Sequence, residues 1–167
     1  MIYEFEALPQ FEGNGSDTTS PLTRYVPRGR AEPLVGIVRN PRSHRNKDIA
    51  AELADCANIL TETPKSRPAL RESLLDFAER GIDYLVIDGG DGTVRDVLTC
   101  GADIFEDTWP EIIVLPKGKT NALAVDLGLP NHWSLSEALI AARHGARVKR
   151  KPIKVSPAGK SGCVQGF

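Results

Sequence analysis

Gly89-Gly90-Asp91-Gly92-Thr93 follows the apolar run Tyr84-Leu85-Val86-Ile87 and leads into Val94-Arg95-Asp96-Val97-Leu98. This order predicts a buried strand that turns through glycines into a helix. Glycines can take positive φ and let the backbone approach a ligand closely, while the N–H groups that open a helix point at negative charge. The segment is a phosphate site in outline. Asp91 is the odd residue within it. A carboxylate beside phosphates repels them unless it binds a metal, fixes the loop or handles a proton, which points to chemistry on a metal nucleotide. An isolated Asp-Gly pair reads as a plain turn, but five such residues between a strand and a helix do not.

Composition removes several other classes. A formal net charge of −1 gives no support to a nucleic-acid binder, and a hydrophobic content of 41% excludes wholesale disorder. No apolar run is long enough to cross a bilayer. The N-terminus, Met1-Ile2-Tyr3-Glu4-Phe5-Glu6, lacks the basic and apolar regions of a secretory signal, so a cytoplasmic protein is expected. Cys56, Cys100 and Cys163 are too widely spaced for a disulfide framework or a zinc site. His44, His132 and His144 form no ligand pattern either, and all six read as packing or surface residues.

Residues 1–33, rich in Gly, Pro and Ser, have the composition of a flexible extension. Order is expected from Leu34, with a strand Leu34 to Val38 ending at Asn40-Pro41 and a helix presenting Ile49, Leu53 and Cys56. Asn58 to Thr63 is ambiguous between helix and strand; its β-branched residues and Pro64 favour a strand. Leu70, Leu74 and Phe77 mark a helix ended by Gly81, and Ile112 to Leu115 is a further strand. A short helix Asn121 to Leu127 closes at Gly128 and Pro130. Ser134 caps another, running through Leu135, Leu139 and Ile140 to Gly145. The alternation βαβαβαβ implies an α/β fold with a Rossmann-like three-layer parallel sheet. Ligands of such sheets gather beyond the carboxyl ends of the strands, where Asn40, Thr63, Gly89 and Pro116 fall. Gly118-Lys119-Thr120 is no P-loop, because Ile113 stands where the earlier glycine is required. No glycine-x-glycine-x-x-glycine follows the first strand, which disfavours a dinucleotide dehydrogenase.

The four strand ends carry a family resemblance. Asn40-Pro41-Arg42-Ser43, Thr63, Gly89 to Thr93, and Leu115-Pro116-Lys117-Gly118 with Asn121 and Gly128-Leu129-Pro130 resemble, in order and spacing, the catalytic domain of diacylglycerol kinases. The wider group takes in bacterial lipid kinases and sphingosine kinases and shares its glycine motif with NAD kinases and 6-phosphofructokinases. The resemblance covers roughly residues 34–155. It implies transfer of the γ-phosphoryl group of ATP to a lipid hydroxyl, diacylglycerol or similar, with Mg2+.

By motif match, the nucleotide is expected near Asn40, Pro41, Arg42, Ser43 and His44, near Thr63, along Gly89, Gly90, Asp91, Gly92, Thr93, Val94 and Arg95, and near Gly118, Lys119 and Asn121. The residue chemistry agrees. Asn40 has donors and an acceptor suited to adenine or ribose, while Ser43 and Thr93 can donate to phosphate oxygens. Asp91 is the catalytic candidate within the chain, since in the family the base and several magnesium ligands come from a second, β-rich domain. His44 stands where the family usually has glycine, Lys119 where threonine is frequent and Ala122 where it has aspartate. Arg147 to Val155 reads as a crossing strand, and 156–167 as the start of that second domain, truncated, with a sheet edge near Phe167 left open to association such as a homodimer. The basic run Arg147, Lys149, Arg150, Lys151 and Lys154 suits either a solvated edge or peripheral contact with an anionic membrane at its inner face. Two alternatives stay open: a kinase of another acceptor such as NAD or a sphingoid base, and a nucleotide-binding module without catalysis.

Overall fold

The computed structural model describes residues 32–43, 58–144, 147–148, 153–155 and 164–166. The expected N-terminal extension up to residue 31, the helix bearing Ile49, Leu53 and Cys56, and the residues His44 and Cys163 lie outside the described residues. Strands β1 (Val35–Arg39), β2 (Ile59–Glu62), β3 (Tyr84–Gly89) and β4 (Glu111–Pro116) form one parallel sheet in the order β2-β1-β3-β4. Central strands of parallel sheets are covered on both faces and so read as continuous apolar runs. Accordingly β3 is buried throughout, whereas β2, at the edge, ends in exposed Thr61 and Glu62. Thus the ambiguous segment is a strand.

Alternation along the strands divides the core in two. Val38, Leu85, Ile87 and Val114 pack against helices α1 (Arg67–Arg80) and α2 (Asp91–Phe105) through Leu70, Leu74, Phe77, Val94, Val97 and Leu98. Val35, Ile37, Tyr84, Val86, Ile113 and Leu115 face the other way, onto Leu135 and Ala138 of helix α4 (Leu135–His144). The short helix α3 (Ala122–Asp126) lies between β4 and α4. Helix boundaries follow from local chemistry. Ser66 caps α1 by accepting from the Ala69 N–H at 3.3 Å, and Gly81 ends it in the left-handed region at φ 62°. Ser134 and Glu137 form a reciprocal capping box at α4: Ser134 Oγ accepts from the Glu137 N–H at 3.2 Å, and Glu137 Oε2 accepts from the Ser134 N–H at 2.9 Å. Hydrogen bonds from Ser134 hold the Glu137 carboxyl below its ordinary pKa.

Helix α4 runs through Ile140 as expected, with Ile140 on its exposed face and the Leu135/Ala138/Leu139/Ala142 stripe turned inward. Several expectations need correction. The strand expected over Arg147 to Val155 is confined, among the described residues, to β5 (Ile153–Val155), and Arg147 and Val148 are not in a strand. Arg147 instead bonds Glu111 at 2.6 Å at the amino end of β4, which takes it out of the basic run and to the opposite end of the sheet from the glycine turn. Strand β6 (Val164–Gly166) pairs antiparallel with β5. Cys100 is a packing residue against the α1/α2 core, and burial pushes its thiol pKa up.

Candidate functional site

The strand order places a topological switch between β1, which has β2 on one side, and β3, which continues to β4 on the other. Crevices at such points, outside the carboxyl ends, are where open α/β sheets hold ligands. Asn40 follows β1 and Gly90 follows β3 at this place, and the Asn40 N–H donates to the Asp88 carbonyl at 3.0 Å.

The turn from β3 into α2 is tighter than expected. Gly90 is the N-cap, with extended backbone at φ −93° and ψ −175°, and neither Gly89 nor Gly92 has positive φ. Close approach, and not a left-handed torsion, is what requires glycine here. A Cβ on Gly89 would lie 2.5 Å from Thr93 Oγ1. One on Gly90 would lie 2.9 Å from the Gly118 Cα, and one on Gly118 would lie 2.7 Å from the Gly90 Cα. The turn after β3 and the turn after β4 therefore touch backbone to backbone. Asn121 holds the second turn in place: its Oδ1 accepts from the Gly118 N–H at 2.7 Å and its Nδ2 donates to the Gly118 carbonyl at 3.0 Å. It does so from a left-handed conformation at φ 52°, which Asn tolerates better than most residues. Asn121→Ala is expected to cost roughly 2–3 kcal/mol, and Asn121→Gly less, since glycine keeps the torsion and loses only the bonds. Urea unfolding of both variants checks the order.

At the mouth of α2 the chemistry is that of an anion site. The helix has no side-chain cap, and among the described residues no partner takes the N–H groups of Asp91 and Gly92. Gly92 is exposed, and a Cβ there would meet nothing within 4 Å. Thr93 Oγ1 accepts from Asn40 Nδ2 at 2.9 Å, and Asn40 Oδ1 accepts from the Arg42 N–H at 3.0 Å. Ser43, half-buried, donates its N–H to the Asn40 carbonyl at 3.1 Å. The structure thus brings Asn40, Ser43, Gly89, Gly90, Asp91, Gly92, Thr93, Gly118 and Asn121 into one connected group.

Other expected site residues stand apart. Val94 belongs to the core: its side chain is 1% exposed and its N–H bonds the Gly90 carbonyl at 3.1 Å. Arg95 is exposed and pairs with Asp96 at 3.2 Å, which also holds Arg67 at 2.9 Å. Thr63 follows β2, on the far side of β1 from the glycine turn, while Pro41, Arg42 and Lys119 are exposed beside the connected group, Arg42 joined to it through its N–H. One nearby pair escaped sequence reasoning: Arg39 and Asp88, registered partners, approach to 3.4 Å with little exposure. A signal was present, since the two apolar runs end in opposite charges.

Nucleoside phosphates fit this donor set, because open helix N–H groups, a hydroxyl and a space without side chains are what bind them. A divalent cation fits only together with the phosphates. Among the described residues no group of three or more His, Cys, Asp or Glu is placed to hold a metal, and Mg2+ is commonly held by one or two carboxylates with phosphate oxygens and water. A cavity of about 500 Å³ opens beside the end of β4, lined by Pro116, Lys117 and residues of the 131–137 segment; the glycine turn does not line it.

Three solved structures from Bacillus anthracis str. Sterne, one described as a diacylglycerol kinase and two as candidate diacylglycerol kinases, share the fold. Each aligns over 67% of this chain with a TM-score of 0.53 and 22% identity. The alignments cover 43%, 40% and 42% of those chains, so this chain spans about two fifths of their length. A search of curated proteins finds no match. The family model of the diacylglycerol kinase catalytic domain matches residues 35–155, a span that runs from the first residue of β1 to the last of β5 and includes the glycine turn. With most of its length, its parallel sheet and its strand-end motifs inside that match, the chain belongs to the diacylglycerol kinase catalytic domain family.

Proposed function

We propose that this chain holds the phosphates of ATP in a lipid kinase that transfers the γ-phosphoryl group to the hydroxyl of diacylglycerol or a similar lipid. The observation that carries the reading is Gly92. A glycine in the middle of a helix costs roughly 0.5–1 kcal/mol relative to alanine, and less in a first turn, and among the described residues nothing needs the space its missing side chain leaves. A ligand that must come close to the first turn of α2 accounts for it.

The phosphate chain would lie on the N–H groups of Asp91 and Gly92, where the helix dipole favours negative charge. Thr93 would add a hydroxyl donor. Asp91, in the first turn of α2, would share a Mg2+ ion with phosphate oxygens, and the ion when bound would neutralise charge developing on the transferred group. The Gly90–Gly118 contact and Asn121 would keep the two turns from shifting as charge moves, which is how positioning contributes to phosphoryl transfer. Among the described residues no helix is long and apolar enough to cross a membrane.

Two measurements test this. MgADP should raise the melting temperature and bind saturably in calorimetry. Radiolabelled ATP should then label diacylglycerol presented in mixed micelles when the chain is assayed within a protein as long as its structural neighbours, and Asp91→Asn should depress that transfer by orders of magnitude. No calorimetric binding of MgADP or MgATP would sink the nucleotide reading. Transfer to NAD or a sphingoid base in place of diacylglycerol would redirect the acceptor assignment alone.

A further inference from the structure

We propose that Asn40 is a positioning residue whose task is to aim the Thr93 hydroxyl proton at the bound phosphate. The inference rests on the nucleotide reading above and goes beyond it, because Asn40 touches no ligand in this role.

The orientation of the Asn40 amide is settled by its surroundings. Its Oδ1 accepts from the Arg42 N–H at 3.0 Å, so the amide nitrogen must face Thr93, to which it donates at 2.9 Å. A hydroxyl offers one donor and two acceptor sites. With one acceptor site of Thr93 Oγ1 occupied by a protein donor, the proton is turned away from Asn40. Among the described residues no group accepts that proton. The Thr93 side chain fills the space that a Cβ of residue 89 would take, which would lie 2.5 Å from Oγ1, 2.6 Å from Cβ and 2.8 Å from Cγ2. Glycine at 89 admits the threonine, the Arg42 N–H orients the asparagine, and the asparagine orients the hydroxyl. The hydroxyl sits in the first turn of α2, beside the unpartnered N–H groups of Asp91 and Gly92.

Asn40→Asp is nearly isosteric and keeps the acceptor for Arg42 N–H, but it replaces the donor facing Thr93 with a second acceptor. The hydroxyl must then donate to residue 40, and the ligand loses its proton. A carboxylate also repels phosphate directly, so the decisive comparison is a double-mutant cycle read by MgADP affinity, with melting temperature as the control for folding. Asn40→Asp should weaken MgADP binding about tenfold in the Thr93 background and about twofold or less in a Thr93→Val background. Thr93→Ser, which keeps the hydroxyl, should restore the full penalty. Equal penalties in all three backgrounds would overturn the proposal and leave the nucleotide site intact. Wild type that fails to bind MgADP would overturn the nucleotide reading and this proposal with it.

Discussion

Gly92→Ala is expected to make the protein more stable and a worse binder of nucleotide. Alanine favours helix over glycine by up to roughly 1 kcal/mol, and among the described residues the added Cβ meets nothing within 4 Å. For a chain of this size the gain is about 1–3 °C in melting temperature. The same methyl would occupy the place where phosphate must approach the α2 N–H groups, so MgADP affinity should fall at least about tenfold, or 1.4 kcal/mol. Opposite signs in two measurements on one variant are hard to obtain by damage to the fold. Gly90→Val lacks this virtue, because its side chain would strike the Gly118 backbone and displace both turns. A Gly92→Ala protein that is stabilised and binds MgADP unchanged would move the phosphate away from the α2 terminus.

Phe77→Ala should cost about 3–5 kcal/mol, a large part of the 5–15 kcal/mol typical of a whole domain. Phe77 is fully buried on α1, and its ring fills the space over Gly36 of β1, where a Cβ would lie 2.8 Å from Cδ2 and 3.0 Å from Cε2. Gly36 has no side chain with which to close the void. Gly36→Ala alone should destabilise by roughly 1–3 kcal/mol through overpacking. Joined with Phe77→Ala it should recover part of the loss, because its methyl enters the space the ring vacates. Urea unfolding of the two single variants and the double variant checks the sign of the coupling; simple additivity would show that the two residues do not share that space.

Much of this architecture was legible in the chain. Apolar runs at β1, β3 and β4, the stop at Gly81 and the cap at Ser134 are local signals, and each led to the observed element. What the glycines do was not legible. Gly90 and Gly118 are separated by a helix and a strand, so only the folded structure shows that each is glycine because of the other. The Asn40–Thr93 bond is likewise a meeting of distant segments, and residue type alone suggested a ligand contact for both. Arg147 was grouped with the lysines that follow it because sequence shows neighbours in the chain, whereas its partner Glu111 is a neighbour only in space.

The placement of β1 between β2 and β3 has a kinetic consequence. Val35 pairs with Ile59 on one side and Tyr84 on the other, both through parallel ladders, so no hairpin can nucleate the sheet. Loop-closure entropy must be met before either ladder forms, which slows folding relative to proteins of local topology. During synthesis the earliest apolar strand of the sheet waits, unpaired on its inner side, until the chain has been made through Gly89. A ribosome stalled short of that glycine would display Val35 to Val38 to every chaperone and every other nascent chain, and refolding from denaturant should become inefficient as protein concentration rises.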